Sequence, residues 1–375
     1  GAAQVRFEAE RAITSALAAA SAASGGGAPL LVLTHSQPTP ILAPPGPGQQ
    51  DAAGALRGLL DHLAAQGYEI AEWAASVDAQ RPSFSEARAA KRPIVWIMLP
   101  GAASTSDGAS RMGKLARAVE GLLRDGESLL VNVGPSLLPR VGEPDPLVAP
   151  FEPLGLSIDS GRPLTETVST PAGPRSASLF RVLDANREHP VGGAVGGLAV
   201  ALLWPSPMTI TGGPEMDWAT LLTIETRDNI WGESQWPTLV QAGAMGAAAT
   251  FDERVDARGG PWTVAAAGER FVEGVSTPQR VVVVGSNGWF FDAVALSSTV
   301  VDGRRNLANP GNLELVDASL LWLSGREDLV ASGADTGGRI GPIEPGALRL
   351  LWWLCILGPA TATLLLGAAL RMLRG

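Results

Sequence analysis

Histidines stand at positions 35, 62 and 189, and the single cysteine is Cys355. A glutamine amidotransferase needs a cysteine on a tight strand-to-helix turn, activated by histidine. Residues 28–330 hold no cysteine, so that chemistry is excluded there, as are disulfides and thiolate metal sites. A serine hydrolase needs a G-x-S-x-G elbow or an equivalent serine, histidine and acid set. No elbow is present, and the nearest match is Gly285-Ser286-Asn287-Gly288 after a valine-rich run. The histidines lie far apart, with neither H-E-x-x-H nor H-x-x-E-H spacing, so no metal is expected. No Walker A loop occurs, and ATP hydrolysis would belong to another chain. The expectation is a non-enzymatic protein without metal or cofactor. A membrane-anchored hydrolase using Ser286 and one of the histidines is one alternative, and a purely structural envelope protein is the other. His62, on the polar side of a leucine-striped helix, reads as a surface residue, and His189, before Pro190, as a structural hydrogen-bonding group at the start of a strand.

These residues need a frame. Short runs apolar on both faces, at 30–33, 94–99, 129–133 and 280–284, predict buried strands covered by helices on both sides. Between them, Leu56, Leu59, Leu60 and Leu63, then Met112, Leu115, Val119, Leu122 and Leu123, recur at helical spacing. Strand, helix, strand, helix, strand at these intervals predicts an α/β fold with a parallel sheet. Further strands are expected at 68–70, 199–203, 221–225 and 262–267, and a last helix capped by Asn312 and closed by Gly325. Residues 134–174 are proline-punctuated and give no clear helical pattern.

In open α/β sheets ligands bind beyond the carboxyl ends of the strands. Those ends carry Thr34, His35, Ser36, Gly101, Asn132, Ser286 and Asn287, which form the candidate ligand- or partner-binding set. The alternative is that they satisfy backbone groups in ordinary loops.

Residues 350–370 contain no charge, and a helix of that length covers roughly 30 Å, the thickness of a bilayer core. Trp352 and Trp353 lie where an aromatic belt would meet headgroups, and Arg371 and Arg374 follow the segment. This predicts a C-terminal transmembrane helix over 348–371, joined by a glycine-rich linker at 331–347 to an α/β body at 28–330. A two-lobed body dividing near 160–190 stays open, and 1–27 reads as a helical lead-in. The two trailing arginines orient the tail inward and the body outward, giving a single-pass inner-membrane protein with a periplasmic or other extracytoplasmic domain. The chain starts at Gly1 without a signal peptide, so export of the body would rely on a segment upstream. A net charge of −9 with only two lysines argues against a nucleic-acid partner.

Several segments, in order, resemble one family. Arg280-Val281-Val282-Val283-Val284-Gly285-Ser286-Asn287 is similar to a late strand of the gliding-motility-type (GldG-like) ABC transporter auxiliary proteins. Gly311-Asn312-Leu313-Glu314-Leu315, with Trp322-Leu323 and Glu327-Asp328-Leu329, resembles the helix that precedes their membrane segment. Leu31-Val32-Leu33-Thr34-His35-Ser36-Gln37, His189-Pro190 with Val200-Ala201-Leu202-Leu203, and Leu221-Leu222-Thr223 with Trp231-Gly232-Glu233 match earlier segments. The resemblance implies a flavodoxin- or class I glutamine amidotransferase-like ectodomain, related to the N-terminal domain of an intraflagellar transport protein. It also implies ABC-2-type permease and ATPase subunits as partners. Two departures bear on any site: Gln37 stands where the family often has an acid, and Asn287 where it has aspartate. Neutral recognition is therefore expected at these loops, not cation binding.

Overall fold

The computed structural model describes residues 28–43, 53–76, 80–99, 108–135, 145–171, 173–242, 248–301 and 303–330. Gly101, the lead-in at 1–27, the linker at 331–347 and the apolar segment at 348–371 lie outside the described residues. Among the described residues no helix is long and apolar enough to cross a membrane.

The first part of the chain alternates strands and helices. β1 (Leu30–His35) is buried along its whole length, then come α1 (Arg57–Ala65), β2 (Glu69–Ala74), α2 (Ser85–Ala89), β3 (Ile94–Met98), α3 (Gly108–Arg124) and β4 (Ser128–Asn132). Leucine, isoleucine and valine on both faces suit strands covered by helices above and below. On α3 the residues expected inward from their spacing, Met112, Leu115, Val119, Leu122 and Leu123, are all buried, as is Gly108 at its start.

The proline-rich middle resolves into a 3₁₀ helix at Pro146–Leu154 and short strands. These are β5 (Leu156–Ile158), β6 (Leu164–Thr170), β7 (Gly173–Ala177), β8 (Leu179–Val182) and β9 (Asp184–Ala185). Asp145 caps the 3₁₀ helix, its carboxylate accepting from Leu147 N at 2.9 Å. Next come α4 (Pro190–Val195), β10 (Val200–Leu203), β11 (Met208–Ile210), β12 (Asp217–Ile224), β13 (Ile230–Gly232) and α5 (Trp236–Ala242). The last part holds β14 (Trp262–Arg270), β15 (Gln279–Val284), α6 (Asp292–Ala295), β16 (Ser298–Val301), β17 (Arg304–Leu307) and α7 (Pro310–Leu323).

Ten of these strands form one mixed sheet. Its main path runs β2-β1-β3-β4-β15-β14-β11-β5, with β12 also pairing β14 and β9 pairing β12. The pairings from β2 through β15 are parallel; from β15 to β14 onward they are antiparallel. The fold is thus α/β with a five-stranded parallel half, and β15 joins it to an antiparallel half that the sequence pattern does not announce. Apolar cores lie on both faces. One gathers Leu31, Leu33, Ile97, Leu130, Val282 and Val284 with α1, α4 and α7; the other gathers Val32, Trp96, Leu129, Val131 and Val283 with α3.

Three expectations need correction. Asn312 does not cap the last helix: Pro310 occupies its first turn and Asn309 the cap position, because proline's fixed φ and missing N–H suit a helix start. Pro190 likewise opens a helix, α4, and not a strand, with His189 as its cap, Nδ1 accepting from Val191 N at 3.2 Å. His62 is not simply a surface residue. Its Nε2 lies 2.9 Å from Asp317 Oδ1, and its side chain is 20% exposed, because α1 packs its flank toward α7.

Candidate functional site

The parallel register places the ends of β1, β3, β4 and β15 on one sheet edge, where Thr34 pairs with Met98, Met98 with Val131, and Asn132 with Val284. The candidate residues at this edge face inward: Thr34, His35, Ser36, Asn132 and Ser286 are all buried. A buried polar group must find a partner inside the protein, and these do.

His35 Nδ1 accepts from Gln37 N at 3.0 Å, which places its proton on Nε2, and Nε2 donates to Glu72 Oε1 at 2.6 Å. Burial pushes the imidazole's pKa below its ordinary value, and the Glu72 carboxylate only partly opposes this. His35 is therefore neutral near pH 7. The same carboxylate of Glu72 also accepts from the backbone N–H groups of Ile41 and Leu42 (the latter at 3.1 Å), so one side chain closes the loop that follows β1. Ser36 turns to the opposite face: its Oγ points at Met112 Sδ, and its carbonyl accepts from Ser76 Oγ at 2.9 Å. Thr34 Oγ1 leans 3.4 Å from Val32 O within its own strand.

A second group forms around β4 and β15. Asn132 Nδ2 donates to Met98 O at 2.7 Å, and Asn132 Oδ1 accepts from Trp289 Nε1 at 2.5 Å. Ser286 Oγ accepts from Leu203 N at 3.2 Å and donates to Leu203 O at 2.9 Å. Asn287 Nδ2 donates to Pro135 O at 3.2 Å, while its Oδ1 is buried without a hydrogen-bond partner. The structure thus brings Asn132, Ser286 and Asn287 together, and sets His35 apart with Glu72, two strands away.

The Ser286 contact is part of a larger arrangement. One edge of β10 pairs with β8; among the described residues the other meets no strand. Along that second edge, Ala199 O accepts from Gly311 N at 3.0 Å. Ala201 N donates to Asn312 Oδ1 at 2.8 Å, and Ala201 O accepts from Asn312 Nδ2 at 2.9 Å. Ser286 then takes both groups of Leu203. Side chains from two distant segments stand in for a missing neighbouring strand, which removes an edge that would otherwise be open to another chain.

Ser286 Oγ is held by backbone groups and not by a base, His35 faces an acid on one nitrogen and a backbone amide on the other, and His189 is a helix cap. Sequence reading missed the partners that fix these residues: Glu72, Trp289 and Leu203. The one local signal was Glu72 itself, an acid within an otherwise mainly apolar six-residue strand.

No protein-family model matches the chain, and no curated protein matches it. Among solved structures the chain is similar to the N-terminal domain of mmIFT52, at 11% sequence identity over 78% of this chain and 97% of that one, with a TM-score of 0.41.

Proposed function

We propose that this chain is a non-enzymatic, membrane-anchored auxiliary subunit of an ABC-2-type transport system, with a flavodoxin- or amidotransferase-like domain on the extracytoplasmic side that binds a partner subunit or cargo. The observation that carries the non-enzymatic part is the placement of the polar strand-end groups. His35, His189 and Ser286 make hydrogen bonds that hold a loop, a helix start and a strand edge, His62 joins α1 to Asp317 of α7, and no serine–histidine pair forms among the described residues. The transport part rests on the ordered resemblance to the gliding-motility-type auxiliary proteins and on the uncharged segment at 350–370.

The full chain, tagged and gently extracted from its native membrane, is the material for the test. The expected result is recovery of an integral permease and a nucleotide-binding ATPase in fixed ratio with it. Recovery of the chain alone, from extracts in which the permease and ATPase remain paired with each other, overturns the assignment. Hydrolysis of amide, ester or phosphoester substrates that is lost in Ser286→Ala would establish the hydrolase instead. A reporter placed after Gly375 and active only outside the cytoplasm would reverse the orientation.

A further inference from the structure

On the face of the sheet covered by α3, a groove of about 460 Å³ opens between that helix and Trp73, Ala75, Ser76 and Arg81. Its walls include Trp73, Ala118 and Leu122, and its charged lining is Arg81, Lys114, Arg117 and Arg124 against Asp125 alone. Four cations facing one carboxylate reverse the sign of a chain whose net charge is −9.

The cations are not equally satisfied. Arg81 reaches Asp125 at 2.8 Å and Glu127 at 3.6 Å, so its charge is matched. Arg124, on the rim, shares the same Asp125 at 3.9 Å. Lys114 Nζ donates to Ser76 O at 2.9 Å, a neutral carbonyl that leaves its charge uncompensated. Arg117, one helical turn further along α3, makes no ion pair among the described residues. Glu120, on the same helix, is not part of the groove lining. Two like charges a turn apart repel each other, and an anion placed between them would relieve that repulsion.

We infer that this groove binds a small organic anion, with its carboxylate or phosphate on Lys114 and Arg117 and an apolar body against Ala118 and the edge of Trp73. The volume lies within the roughly 300–1,000 Å³ typical of small-molecule sites. A nucleic-acid strand would need a basic stripe continuing past the groove, and a membrane surface would need a flat basic face. This inference does not depend on the transport reading, because the groove lies away from the Asn132, Ser286 and Asn287 group.

Calorimetric titration of the full chain at low salt with phenyl phosphate and with benzoate tests it. Saturable binding of at least one of them is expected, with none for the neutral analogue benzyl alcohol. Combined Lys114→Gln and Arg117→Gln should weaken binding by about tenfold or more. Arg254→Gln, an exposed arginine elsewhere, should leave it unchanged. Both groove side chains are exposed, so the double variant should keep the parent's thermal midpoint. No saturable binding of either anion up to about 10 mM overturns the inference, as does binding unaltered in the double variant. Inorganic phosphate that binds as tightly as phenyl phosphate would overturn the part assigned to Ala118 and Trp73.

Discussion

Trp289 and Asn132 are 157 positions apart in sequence, yet the indole Nε1 of one donates to the amide oxygen of the other at 2.5 Å, with Trp289 fully buried. The amide's other end holds Met98 O, so one asparagine ties the end of β3 to the segment after β15 across β4. Asn132→Leu should destabilise the protein by about 2–4 kcal/mol, because it leaves a buried indole N–H and a carbonyl without partners. Trp289→Phe in the same background should restore part of that loss. A double-mutant cycle in urea measures the coupling, and strictly additive effects would show that the contact contributes nothing.

Glu72 serves three donors. Glu72→Ala should cost about 2–4 kcal/mol and should raise amide hydrogen exchange at residues 37–42 above that of the neighbouring strands. The carboxylate is also what pulls His35 back up toward its ordinary pKa against burial. Without it, His35 should stay unprotonated to still lower pH, which NMR titration of the imidazole reads directly. A His35 that titrates higher in the variant would contradict this assignment.

Asn312 substitutes for a strand on the open edge of β10, and Asn312→Ala should cost about 3 kcal/mol by orphaning both backbone groups of Ala201. Asn312→Asp should be no better. Its carboxylate can still accept from Ala201 N but cannot donate to Ala201 O or to Trp289 O, which the amide now holds at 2.6 Å. Gly311→Ala tests the same joint sterically, since a Cβ there would lie 2.7 Å from Ala199 O, a backbone atom with little room to yield. Chemical denaturation of the three variants should give midpoints well below the parent.

Asp145 supplies a pH dependence of defined sign. Burial raises its pKa from 3.8 to about 6, with the Leu147 N–H bond opposing the shift. The folded state therefore binds this proton more tightly than the unfolded chain does. The associated stability is fully present below pH 3.8 and is lost as pH rises through about 6. A shift of that size corresponds to about 3 kcal/mol, so Asp145→Asn, which keeps an acceptor for Leu147 N, should stabilise the protein at pH 7 by up to that amount. The advantage should shrink to nothing by pH 4. Equal stability of the two proteins at pH 7 would contradict this account.

Sequence and structure agree where the information is local. The runs that became β1, β3, β4 and β15 are apolar on both faces and bounded by glycine, proline or polar residues. The stripe from Met112 to Leu123 names the buried side of α3 residue by residue. The antiparallel half was less legible because β5, β9 and β11 span only two or three residues, too few for a period to register. Polar residues at the strand ends were visible, but the direction they face was not. Whether His35 or Asn132 meets solvent depends on Glu72 and Trp289, and no spacing along the chain links those pairs. The helix starts at Pro190 and Pro310 were legible in principle, since proline favours the first helical turn; His189 is an uncommon cap, and Asn312 lies close enough to Asn309 to compete for the same role.

The place of β15 in the sheet has a consequence for synthesis. This strand is the last of the ten to be made, yet it sits in the middle, between β4 and β14. About 150 residues separate Asn132 from its partner Val284. At translation rates of about 5–20 residues per second, the exposed edge of β4 waits roughly 8–30 s after it leaves the ribosome. Through that interval the nascent chain carries a valine- and leucine-rich edge able to pair with any other extended segment nearby. Any chain that ends before Gln279 stays in that condition permanently. Residues 128–132 are thus the part of the nascent chain most open to mispairing until the late strand arrives.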